Sequence, residues 1–150
     1  AGVDLVHVPY KGGAPALVDV LSGQVNTFFA TVPTALPQIR AGRIRALGVT
    51  TARRSIALPD VPTVEASAGL KGYEANNWYG IVTAAGTPAP IVRRLESEIL
   101  AVLKQTDVQE KLAAQGLEPT PAGAESFGAY IRSEHAKWAR VIRAAGAKVD

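Results

Sequence analysis

Residues 3 to 8, VDLVHV, are a β-branched run that predicts a short strand, and Pro9, lacking an amide hydrogen, limits its continuation. From Ala14 to Ser22 the apolar positions Leu17, Val18 and Leu21 fall on one helical face, with Pro15 in the first turn and Gly23 as a stop. QVNTFFA, 24 to 30, reads as a second strand. Pro33 opens a helix that reaches Ala41 before Gly42, and RIRALGVT, 43 to 50, reads as a third strand. Strand, helix, strand, helix, strand within some fifty residues is the rhythm of a parallel α/β sheet with right-handed crossovers.

That rhythm breaks over 51 to 77, where Pro59, Pro62, Gly69 and Gly72 interrupt any sustained period and predict a surface connection. WYGIVTA, 78 to 84, resumes as a strand. In the segment that follows, Thr87 offers a cap and Ile91, Leu95, Ile99, Val102 and Leu103 form an amphipathic stripe. A shorter helix is expected at 107 to 115, ending at Gly116. A last one, 124 to 145, carries Phe127, Ile131, Trp138 and Ile142 on one side and stops at Gly146. The expected organisation is two blocks, 1–75 and 76–150. Neither holds enough strands and helices to cover both faces of a sheet, so a further portion is expected before residue 1.

Composition narrows what such blocks do. No apolar run approaches the roughly 20 residues of a membrane span, which argues against direct membrane insertion. The net charge is +3 and the arginines are scattered without interleaved aromatics, which argues against a nucleic-acid partner. With no cysteine there is no disulfide scaffold, thiolate metal site or cysteine nucleophile. No methionine occurs either, not even at position 1, so a removed leader or an excerpt of a longer chain is expected.

Catalytic constellations are thin. His7 and His135 have no second ligand at metal spacing, Glu96 and Glu98 point to different faces of their helix, and no G-x-S-x-G occurs. YKGGAPA lacks the glycine spacing and the Lys-Ser/Thr of a phosphate loop. No catalytic residue, metal or cofactor is therefore expected.

The strand-to-helix junction at YKGG admits a positive reading. The first amides of a helix have no partners within it, and the dipole adds roughly half a positive charge there. Gly12 and Gly13 let a ligand approach the backbone, and such a site suits a carboxylate. Tyr10 is placed to flank it and Lys11 to add attraction, while Ala14 lies in the first turn. The alternative is a plain βα turn whose glycines serve only chain reversal. A second junction, FFATVPTALP, favours a site, because carboxyl ends of neighbouring strands face one crevice in open α/β sheets. Ala30 and Thr31 would then share it with Tyr10 to Ala14, with Phe28 and Phe29 divided between core and wall.

Three stretches, VPYKGGAPALVDVLSGQV (8–25), PTALPQIRAG through AGTPAPIV (33–92) and IRSEHAKWARVI (131–142), together closely resemble the Bug (TctC-like) solute receptors of tripartite tricarboxylate transporters. The likeness runs from residue 7 to 148, and the order YKGG, LPDVPT, W-x-G with AGTP, then a helix with a lone Trp, is its specific signature. The resemblance implies a periplasmic, non-enzymatic receptor of the type II periplasmic-binding-protein fold, with three-layer α/β lobes. It would capture a small carboxylate between the lobes and deliver it to a membrane permease. It further implies that this chain is the C-terminal half: 1–75 the later part of the second lobe, 76–150 the crossover strand and the helices packing on the first, with the N-terminal half absent. The family grips a ligand carboxylate at the YKGG turn, which maps to Tyr10, Lys11, Gly12, Gly13 and Ala14. Where relatives often carry an Asp-Asn type pair, this chain has Ala30-Thr31, so a dicarboxylate or aromatic carboxylate is expected rather than an amino acid. The same fold also serves as the effector-sensing domain of transcription regulators, which is the alternative; an enzyme using a similar cleft is a third.

Overall fold

The computed structural model describes residues 4–146. Six helices occur among them: α1 Gly13–Leu21, α2 Val32–Arg40, α3 Val64–Ala68, α4 Ala89–Val102, α5 Thr106–Ala114 and α6 Ala124–Ala145. Five lie where apolar periodicity and the Pro and Gly punctuation place them. The sixth, α3, sits inside the stretch expected to be irregular. Thr63 caps it by accepting from the Ala66 N–H at 3.2 Å, and Gly69 closes it in the left-handed conformation at φ 65°. Thr87 does not cap α4. Its hydroxyl donates to the Ala84 carbonyl, and Pro88 stands at the cap position instead.

The expected strands are the larger departure. Among the described residues no strand forms, and sheet pairing reduces to one parallel bridge between Val49 and Thr63. Alternating apolar residues record a tendency to be extended, but a ladder also needs a second segment about 4.8 Å away to meet each N–H and C=O. The segments around 4–8, 27–30 and 78–84 have no such neighbour among the described residues. At the bridge, Val49 N–H donates to Pro62 and Val64 N–H to Val49. Gly48 allows this approach, since a Cβ there would lie 3.1 Å from Val64 Cγ2.

The chain divides into two compact units, Ala1–Gly80 with Glu110–Glu118, and Ile81–Gln109 with Pro119–Asp150. The expected blocks put 110–118 in the second half; by contact it lies with the first. Gly116 is the reason, because it is buried against Val32 and Leu36 of α2. Glu118 then fastens the stretch, one carboxylate oxygen accepting from both Ser55 Oγ and the Ile56 N–H at 2.8 Å.

The buried apolar residues, Ala16, Ala35, Leu36 and Val49, all belong to the first unit, and Leu36 is the most enclosed at 2% exposed. The second unit has a buried charge instead. Glu134 on α6 accepts from Trp138 Nε1 at 3.0 Å and pairs with Lys137 at 3.1 Å, so its carboxylate is satisfied without a partner from elsewhere. Around it the apolar stripes stay open: Ile91, Leu95 and Val102 on α4, Ile131 and Ile142 on α6.

Candidate functional site

Gly12 precedes α1 with φ 132° and ψ 176°, a backbone conformation that is essentially restricted to glycine. No side chain caps the helix. Among the described residues, the N–H groups of Gly13 and Ala14 make no hydrogen bond within the protein, and both residues are exposed. Helix geometry explains this: the carbonyls that would receive them lie before the helix begins.

The second junction arrives at the same place. A Cβ on Gly13 would lie 3.5 Å from Thr34 Cγ2, 3.7 Å from Thr34 Oγ1 and 3.7 Å from Phe28 Cζ. The start of α1 therefore lies beside the start of α2, at a spacing that would put a Cβ on Gly13 in ordinary van der Waals contact with Thr34 and Phe28. Thr31 is the cap residue of α2, but its hydroxyl does not cap. It shares a 2.8 Å hydrogen bond with Thr34 Oγ1, in which either oxygen donates. One of the two hydroxyl protons is used in that bond, and of the two oxygens Thr34 Oγ1 is the one close to Gly13. Two amides and one hydroxyl make a set of donors with no competing acceptor charge among them, matched to a carboxylate with its several lone-pair positions.

Of the residues singled out from sequence, Gly12, Gly13 and Ala14 make the start of α1, Thr31 is bonded to the Thr34 that lies beside Gly13, and Ala30 is the half-buried neighbour of Thr31. Lys11 is exposed. Tyr10 is committed differently from a free flank, because its hydroxyl donates to Asp19 Oδ2 at 2.7 Å and ties it to the seventh residue of α1. Phe28 is the half-buried ring against Gly13 and Phe29 the exposed one.

Sequence reading missed Thr34 and Asp19. Thr34 carried a weak signal, a hydroxyl residue three positions after another at a helix start. Asp19 carried none, since nothing local couples residues nine apart across a glycine turn. An open depression lined by Ile39, Arg43, Arg45 and Val61 lies at the other end of α2, away from these donors. No cluster of three metal-ligating side chains occurs among the described residues, and no described helix is long and apolar enough to cross a membrane.

The Tyr10 phenol is held above its ordinary value of 10.0, chiefly because it donates to Asp19, then through partial desolvation and the Asp19 charge. A group whose folded pKa is raised contributes stability below its unfolded value and loses it as pH climbs through the raised one. Ultraviolet titration is expected to show one tyrosine ionising later than model tyrosine, and Asp19→Ala should return it to the usual range. A wild-type profile with no late tyrosine would show that this bond does not persist in solution.

Residues 1–147 match the family model described as "Tripartite tricarboxylate transporter family receptor". The chain is 38% identical over 142 residues to the "UPF0065 protein in tcbD-tcbE intergenic region" of Pseudomonas sp. (strain P51), covering 95% of this chain and 42% of the relative. Among solved structures, R. palustris Rpa4515 with adipate superposes with a TM-score of 0.87 at 36% identity, over 97% of this chain and 48% of that one. MatC from Rhodopseudomonas palustris with bound malate gives 0.79 at 33%, over 93% and 48%. The periplasmic binding protein BugD gives 0.78 at 33%, over 98% and 50%. The chain thus spans about half the length of the proteins it matches, and its α/β fold is part of the type II periplasmic-binding arrangement these structures share.

Proposed function

This chain belongs to the tripartite tricarboxylate transporter receptor (TctC) family, and from that membership we propose that it is the C-terminal half of a periplasmic solute receptor. The receptor captures a small dicarboxylate or aromatic carboxylate between two lobes, performs no chemistry on it, and hands it to a membrane permease. In this reading residues 1–75 contribute to the second lobe and residues 76–150 return to the first. The observation that carries it is the set of open donors at Gly13, Ala14 and the Thr31–Thr34 hydroxyl pair, on a chain whose solved neighbours include adipate-bound and malate-bound proteins.

Exposed apolar side chains support the missing-half component. Val6, Phe29, Ile81 and Val82, each at least three-quarters or nearly so exposed, are apolar side chains that water does not favour. The remainder of a receptor-length chain is the occupant that relatives of twice this length suggest.

The test is a chimera that joins the other half of the adipate-bound R. palustris protein to these 150 residues, titrated calorimetrically with adipate, malate and benzoate. Micromolar or tighter binding of at least one is expected. A folded chimera indifferent to all three would overturn the proposal.

A further inference from the structure

Two glycines in succession make the turn before α1 intrinsically loose, since glycine has more backbone freedom to lose than any other residue. A loose turn makes its ligand supply the ordering, and affinity falls accordingly. Yet Gly12 is held in one glycine-only conformation, with neither a capping side chain nor any contact around its Cα to hold it: a Cβ at Gly12 would meet nothing within 4 Å. The restraint comes from either side. On the helix side, Gly13 begins α1 and lies beside Thr34 and Phe28. On the other end, Tyr10 reaches along the flank of α1 and donates to Asp19 at 2.7 Å.

We infer that Asp19 is a positioning residue for carboxylate binding, acting through Tyr10 as a strut that holds the Lys11-Gly12-Gly13 turn with its amides open. The inference rests on the carboxylate-receptor reading and adds to it a residue two helical turns behind the site. The Tyr10 hydroxyl is spent inside the protein, so this side chain shapes the turn rather than donating to the ligand. Asp19 suits the purpose because a charged acceptor gives the short, strong bond that a floppy turn requires. It is the sole acidic residue between Asp4 and Asp60, so no neighbouring carboxylate in that run competes for the phenol.

The experiment has two readouts. In the ligand-free 150-residue chain, ¹⁵N relaxation is measured at the Gly12 and Gly13 amides. In the chimera described above, adipate affinity is measured. Tyr10→Phe and Asp19→Leu are each expected to loosen both amides and to weaken adipate by about tenfold, with the double variant no worse than either single. Asp19→Asn, which keeps an acceptor, should recover most of the affinity. Unchanged affinity in Tyr10→Phe would overturn the inference, and so would weaker binding with the two glycine amides as rigid as before. Loosened amides in the variants of the 150-residue chain, together with a parent chimera that binds no carboxylate, would leave the strut standing and remove the receptor reading instead.

Discussion

Gly116→Ala is expected to cost about 3 kcal/mol of stability, because it combines overpacking of a buried site with a left-handed backbone. The alanine Cβ would sit 2.5 Å from Val32 Cγ1 and 3.2 Å from Leu36 Cδ2, at φ 75°. Neither neighbour gives way cheaply. Val32 is β-branched and stiff in the first turn of α2, and Leu36 is the best-buried side chain described. Thermal unfolding should drop by roughly 10 °C for a chain of this size. Val32→Ala removes the nearer obstacle but leaves the backbone strain, so the double variant should fall short of the sum of the singles by about 1 kcal/mol. Wild-type stability in Gly116→Ala would mean that residues 110–118 do not dock on α2 as the structure has them.

The second large effect is on binding. Gly12→Asp places an anionic oxygen at the cap position of α1, where it accepts from the amides that the ligand would use. The charged bonds it displaces are worth about 1.5–3 kcal/mol each, so losing one or two of them weakens carboxylate affinity by roughly 100-fold. Stability should move much less, since the gain of a cap of about 1 kcal/mol opposes the strain of a side chain at φ 132°. Gly12→Ala separates the two contributions, because it has the strain without the charge. In the adipate-bound chimera, an Asp variant that folds and binds like wild type would remove α1 as the carboxylate cradle.

Both predictions concern glycines beside helix ends, Gly116 read from sequence as a helix stop and Gly12 as a place where a ligand approaches the backbone. Gly12 and Gly116 each stand next to a helix end, and local rules assign them to turns. What distinguishes them is the company they keep. Gly116 is closed in by α2, some eighty residues earlier in the chain, whereas nothing surrounds Gly12. No pattern of neighbours in sequence separates those cases.

Helices were legible because their determinants are short-ranged. Capping residues, proline in the first turn, a glycine stop and apolar positions three or four apart all lie within a few residues of the backbone bonds they govern. The uncapped start of α1 at Gly12 and Gly13 was legible for the same reason, and the order of motifs from YKGG to the Trp-bearing helix was enough to point to the family. Tertiary structure alone decided the rest: that Gly13 lies beside Thr34, that Tyr10 is tied to Asp19, that Gly116 packs on α2 while Glu118 bonds Ser55 and Ile56, and that the extended segments stand without ladders among the described residues. Each depends on which distant groups come within a few ångströms, and a one-dimensional pattern carries a residue's preferences but not the identity of the group that satisfies them.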